Sequence, residues 1–143
     1  IYAAREAGSK VLLTCDAQLD TDILVHFLKR RPEAVRLLES LRNEVLFVSV
    51  LSYGEVYEGV YFGAEPERHA AFEALLQGMT VLSLEKQELQ QFARGPRSVA
   101  PQGLPIPDAD LLIAATAVHH GLALVTRNRR HFDRVPGLAL YPA

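Results

Sequence analysis

The sequence predicts an α/β fold: a single domain with a central, mostly parallel sheet of about five strands, flanked by helices on both faces. Three observations lead there. Apolar strand-like runs alternate with helical stretches in the order strand, helices, strand, helices, strand, helices, strand, strand, and such alternation implies parallel βαβ units. The clearest run, Val45-Leu46-Phe47-Val48-Ser49-Val50, shows no polar alternation, as expected of a strand covered on both faces. A length of 143 residues suits one domain with a real core.

The elements follow in order. Residues 1–10 read as a polar lead-in, and 11–143 as the domain. Val11 to Leu13 and Ala17 to Leu19 are both candidates for the first strand, with Thr14-Cys15-Asp16 between them. Ile23 to Arg30 reads as a helix that ends before Pro32. Glu33 to Arg42 reads as a second helix, with Val35, Leu37, Leu38 and Leu41 as its apolar stripe. After the Val45–Val50 strand, a helix opens near Ser52 and runs to about Phe62, with Gly63 as its stop. Pro66 suits the start of a helix over Glu67 to Gln77, closed by Gly78. Thr80 to Leu84 is a third strand and Glu85 to Arg94 another helix. Residues 95–107 form the one long irregular connection, a length usually reserved for function. Asp108 suits an N-cap. Ala109 to His120 is nearly all apolar and belongs at the centre of the molecule, and Gly121 ends it. Leu122 to Thr126 and Leu138 to Tyr141 complete the sheet.

Composition narrows the function. The single cysteine, Cys15, excludes a disulfide framework and a cysteine-rich zinc site, which suits a reducing, cytoplasmic setting. The longest strongly apolar run, Leu111 to Val118, is too short to cross a membrane, and no charged-then-apolar leader opens the chain. A net charge of −2 does not announce a nucleic-acid binder. It conceals a local excess, however: Arg127, Arg129, Arg130 and Arg134 fall close together, and Lys29, Arg30 and Arg31 are contiguous. Guanidinium groups suit phosphate contacts, although such runs are also ordinary solvated surface.

The acids carry the chemistry. In a parallel sheet, ligands bind at the carboxyl edge of the strands. Asp20 follows strand one and Glu55 opens the helix after strand two, so both lie at that edge. Asp110 begins a helix that feeds strand four; the helix must run down before the strand runs back up, which puts Asp110 at the same edge. The connection 95–107 is long enough to climb there, at roughly 3.3 Å per extended residue. Asn128, after strand four, joins them. Like charges gathered out of water need a compensating cation, and an all-oxygen set suits Mg2+ or Mn2+. Such a site polarises a phosphodiester and activates water. Each acid also has a local reading. Asp20 or Asp22 suits a helix cap, Ser52 and Glu55 have the spacing of a capping box, and Asp110 complements a helix dipole.

The ordered motifs resemble the PIN domain family, and within it the VapC-type toxins of toxin–antitoxin pairs, over residues 17–142. Leu19-Asp20-Thr21-Asp22-Ile23-Leu24 is similar to the opening motif, Ser49-Val50-Leu51-Ser52-Tyr53-Gly54-Glu55 to the second, Asp110-Leu111-Leu112-Ile113-Ala114-Ala115 to the third, and Leu124-Val125-Thr126-Arg127-Asn128 with Phe132 and Val135-Pro136-Gly137-Leu138 to the closing segment. The resemblance implies a metal-dependent endoribonuclease in which Asp20, Glu55 and Asp110 form the catalytic acid set. Those three with Asn128 would hold Mg2+ or Mn2+. Thr21, Thr126, Arg127 and Arg129 would contact the RNA. It also implies a homodimer and a VapB-like antitoxin protein whose C-terminal segment occupies the groove. Relatives often carry a fourth acid near Asn128 or His131, and neither position is acidic here.

Two other readings compete. One is a PIN-like RNA- or protein-binding module with weakened catalysis, motivated by the missing fourth acid. The other is a haloacid-dehalogenase-like phosphatase, since Asp20-Thr21-Asp22 resembles its D-x-D motif; Leu24 and a lone downstream Lys86 fit that family poorly. Remaining features read as structural. His119 and His120 suit a helix C-terminus, His131 lies nearer the acids, and Tyr53, Tyr57 and Tyr61 make a stripe suited to core or dimer contact.

Overall fold

A computed structural model describes residues 16–63, 66–95 and 105–142. The candidate strand Val11–Leu13, the lead-in 1–10 and most of the connection 95–107 lie outside the described residues. Twelve elements follow one another within them. They are β1 (Asp16–Leu19), α1 (Thr21–Leu28), α2 (Pro32–Ser40), β2 (Val45–Ser49), α3 (Val50–Gly63), α4 (Pro66–Leu76), β3 (Met79–Leu82), α5 (Lys86–Arg94), α6 (Asp108–His120), β4 (Ala123–Val125), α7 (Arg129–Phe132) and β5 (Ala139–Leu140). The strands form one sheet in the order β3-β2-β1-β4-β5, and every neighbouring pair is parallel. The chain winds outward from β1 in one direction and then, from β4, in the other. The reversal leaves a fork at the carboxyl ends of β1 and β4, the place where open α/β sheets bind ligands.

Side-chain alternation along the strands divides the core in two. Ala17, Leu19, Val48 and Val125 face a cluster with Ile23 and Leu24 of α1, Leu38 of α2, Val56, Tyr57 and Val60 of α3, and Phe72 of α4. Leu124 and Phe47 face the other way, against Ile113, Ala114 and Ala117 of α6 and Phe132 of α7. Helices therefore cover both faces. Helix α5 lies outside α6, with Phe92 packed near Leu111. Helix α6 is the central one expected: Leu111, Ile113, Ala114, Ala115, Thr116 and Ala117 are all buried. Gly121 closes it in the left-handed conformation, φ 66°, which a residue without Cβ adopts at no steric cost. Among the described residues no helix is long and apolar enough to cross a membrane.

Several boundaries differ from the sequence expectation for identifiable reasons. Strand β2 stops at Ser49, and Val50 begins α3. The Ser49 hydroxyl accepts a hydrogen bond from the Leu51 N–H at 3.0 Å, so Ser49 caps this helix. Ser52 and Glu55 lie inside it and are not its capping box. Helix α6 starts at Asp108 with Pro107 at the cap position and no side-chain cap; Asp108 is a first-turn residue and not the N-cap. Strand β2 is buried only in its second half, and Val45 at its open end is 49% exposed.

Candidate metal and active site

The fork between β1 and β4 is closed by hydrogen bonds. The Asp20 N–H donates to the Val125 carbonyl at 2.9 Å, fixing the backbone where the two strands part. The Asp20 side chain, only 4% exposed, accepts from the Thr21 N–H through Oδ1 and from the Thr126 hydroxyl through Oδ2, both at 2.7 Å. It therefore caps α1 and faces the fork; the capping and ligand readings of Asp20 are compatible. The Thr126 hydroxyl accepts in turn from the Asn128 N–H at 2.9 Å, which brings Asn128 to the same edge. Asp22 accepts from the Arg127 N–H at 3.2 Å through Oδ2, while its Oδ1 is buried without a partner.

Glu55 arrives on the second turn of α3. The Thr21 hydroxyl donates its one proton to Glu55 Oε1 at 2.6 Å and lies 2.8 Å from the Ser52 hydroxyl. Asp110, in the first turn of α6, comes in from the opposite side. Its Oδ2 is 2.9 Å from His131 Nδ1, and Asn128 Nδ2 is 2.8 Å from that same nitrogen. One nitrogen cannot donate to Asp110 and accept from Asn128 at once; the charged carboxylate is the stronger partner for its proton. Asp20, Thr21, Asp22, His26, Glu55, Asp110 and Asn128, with Val25, line one cleft of about 330 Å3.

The electrostatics of this cleft are unbalanced. Burial, reinforced by the negative charge of Asp22, pushes Asp20 up to about 7 from an ordinary 3.8; the hydrogen bonds from Thr126 and Thr21 oppose the shift, and the Asp110 charge adds to it. Asp22 is raised as well, chiefly by burial, against the pull of the Arg127 N–H. These carboxylates resist ionising together, which is the cost a bound cation offsets. The assigned donors offer only hard oxygens, and beside them Asp22 Oδ1 is buried in the cleft without a partner, so the residues present fit a Mg2+-like ion. As they stand, no three His, Cys, Asp or Glu side chains among the described residues form a ready-made ligand group. Glu55 is turned onto Thr21 and Asp110 onto His131, each held by a protein donor.

The two threonines and two arginines expected at the substrate behave differently. Thr21 and Thr126 hold acids. Arg127 is exposed and its guanidinium lies against the His26 ring, 2.7 Å from Nε2. Exposed Arg129 donates to the Tyr141 carbonyl at 3.0 Å. Both line a second groove of about 560 Å3 with Ile23, Ala34, Arg36 and Leu37, and Thr126 belongs to it as well as holding Asp20. His119 and His120 close α6 far from Asp110, as expected. What the sequence reading missed is their partner, Glu88 of α5. It is fully buried, its two oxygens 3.9 and 3.6 Å from the two ring nitrogens and without hydrogen bonds. Its spacing of four from Phe92 places it on the helix face that packs, the one signal that points to it. Tyr53 and Tyr57 pack on Phe72 in the core, whereas Tyr61 is exposed.

A family model for the PIN domain matches residues 17–138, a span that includes every residue of the cleft. The chain belongs to the PIN domain family. It is 33% identical over 121 residues to Ribonuclease VapC2 of Haemophilus influenzae, covering 84% of this chain and 92% of that protein. It is 29% identical over 123 residues to the tRNA(fMet)-specific endonuclease VapC of Salmonella typhimurium, covering 85% and 93%. Among solved structures, VapBC2 from Rickettsia felis bound to a DNA fragment from its promoter superposes with a TM-score of 0.77 at 25% identity, covering 88% of this chain and 97% of that one.

Proposed function

We propose that this protein is a VapC-like toxin: a metal-dependent endoribonuclease whose catalytic acids are Asp20, Glu55 and Asp110, with Asn128 as a fourth oxygen donor. The observation that carries the proposal is the convergence of these four side chains, from four distant segments, on one cleft at the fork of a parallel sheet. Ribonuclease and endonuclease relatives of matching length support the reaction class. The group they would hold is Mg2+ or Mn2+, which when bound supplies Lewis acidity at the phosphodiester and at the attacking water.

The chain's own residues do the rest. Thr126 and the Thr21 N–H keep the Asp20 carboxylate aimed and oppose its protonation. Thr21 holds Glu55, and His131 holds Asp110, so that each acid is oriented at the position from which it would hold the ion. Thr21 and Thr126 thus act on substrate through the acids they position. Arg127 and Arg129 line the adjoining groove, where their guanidinium groups would neutralise a phosphate backbone leading to the cleft. A relative crystallised as VapBC2 on promoter DNA supports an antitoxin partner of the VapB kind that blocks the cleft and its adjoining groove. A homodimer is part of the same proposal.

The test is cleavage of a tRNA with and without Mn2+, beside an Asp110→Ala variant and with a phosphomonoester as a second substrate. Ion-dependent RNA cleavage that the variant loses is the expected result. Tight RNA binding without turnover identifies an inert binding module, and phosphomonoester turnover with intact RNA identifies a phosphatase; either sinks the proposal.

A further inference from the structure

The four-residue helix α7 contributes no acid to the cleft, yet its position is tightly determined. Phe132 is fully buried against Ile113, Ala114 and Ala117 of α6. The backbone around it is closed by His131 N–H to Asn128 carbonyl at 3.1 Å, Asp133 N–H to Arg129 carbonyl at 2.8 Å and Val135 N–H to Phe132 carbonyl at 3.1 Å. The residue before the buried ring is therefore fixed relative to α6, and α6 carries Asp110. From that fixed point the His131 imidazole reaches Asp110 Oδ2 at 2.9 Å.

The Asp110 carboxylate has a competing partner. It sits in the first turn of a helix whose cap residue, Pro107, offers no side-chain acceptor. The first-turn N–H groups of α6 are consequently open to any nearby acceptor, and a first-turn carboxylate is attracted to them. A carboxylate folded back on its own helix is lost to the cleft.

We propose that His131 is a positioning residue of the ion-holding cleft: its Nδ1–H draws Asp110 Oδ2 away from the helix terminus and leaves Oδ1 without a protein partner, available to a divalent cation. The role rests on the metal-dependent reading above. It is the role a hydrogen-bonding neighbour plays for a ligating carboxylate in other metal sites, where its loss weakens the ion by roughly 10–100-fold.

The experiment measures Mn2+ binding without RNA, by water-proton relaxation, for the wild type, His131→Ala, His131→Asn and Asp110→Ala. Asparagine keeps an amide donor at the place of Nδ1. Thermal melts in EDTA establish that each variant is folded at the assay temperature, and steady-state cleavage at limiting Mn2+ is followed alongside. His131→Ala should weaken Mn2+ by about tenfold, and His131→Asn should recover most of the loss. Cleavage by His131→Ala should fall in kcat at limiting Mn2+ with KM for RNA unchanged. Wild-type affinity in His131→Ala, or an Asn variant as weak as Ala, overturns the positioning role while leaving the cleft's function standing. A wild type that binds no Mn2+, or binds it as well as Asp110→Ala, overturns the reading of the cleft and the positioning role with it.

Discussion

Asp20→Asn should make the ion-free protein more stable and less active at once, and the size of the gain follows from the geometry. The folded-state pKa of Asp20 is pushed up to about 7 from 3.8. That is a shift of about three units at about 1.4 kcal/mol each, or on the order of 4 kcal/mol of destabilisation once the group is ionised. The sign is set by proton uptake. Between about pH 4 and 7 the folded chain holds a proton on Asp20 that the unfolded chain has released, so stability falls as pH rises through that window and levels off above it. Asparagine carries no charge and keeps one acceptor for Thr126 or the Thr21 N–H, losing the other. A net gain of about 2 kcal/mol at pH 8 is expected, raising Tm by about 5 °C in a domain of this size. At pH 5, where Asp20 is already protonated, the two proteins should melt nearly together. Thermal and urea unfolding in EDTA at pH 5 and pH 8 measure both differences. Equal stability at pH 8, or a variant less stable there than at pH 5 relative to wild type, would refute the claim that the fork is electrostatically strained. Added Mn2+ should stabilise the wild type and have far less effect on the variant.

Three further outcomes are expected. Thr21→Val frees Glu55 from its 2.6 Å donor and should lower cleavage while costing about 1 kcal/mol of stability; Thr21→Ser should restore activity, and an unimpaired Val variant in the RNA assay would contradict the role given to Thr21. Glu88→Met replaces a buried carboxylate whose oxygens make no hydrogen bond, so urea unfolding should show it neutral or more stable by about 1 kcal/mol; a large loss would mean that the His119 and His120 contacts outweigh desolvation. Phe72→Ala empties a fully buried site between Tyr53 and Tyr57 and should cost about 3–5 kcal/mol in equilibrium unfolding.

The edge shared by the acids was legible because it follows from chain direction alone. Once Gly121 ended a helix that fed strand four, Asp110 had to lie beside Asp20, whatever filled the connection 95–107. The local roles were harder to read. Ser52 and Glu55 have the spacing of a capping box, but spacing cannot say that Ser49 already caps the helix three residues earlier. Asp108 has the chemistry of an N-cap and lost that position to Pro107, since proline's fixed φ suits the extended backbone a cap requires. The family resemblance gives the threonine hydroxyls to RNA, and a hydroxyl's actual partner depends on which segment lies next to it. Only the β1–β4 pairing shows that Thr126 belongs to Asp20. His131 read only as a histidine nearer the acids, and its hold on Asp110 depends on a buried Phe132 that fixes the ring's starting point. Glu88 lay hidden for the opposite reason: a charged residue in a polar helix gives no hint of burial until α6 covers it.

The bond between Asp20 and Thr126 joins positions 106 residues apart. A growing polypeptide leaves the ribosome with Asp20 first, so everything between the two positions is made before that carboxylate meets its brace. Until β4 slots in beside β1, the acids are separate charges with no frame to hold them. A copy cut short before β4 therefore lacks both the Thr126 brace and Asn128, and its acids share no cleft.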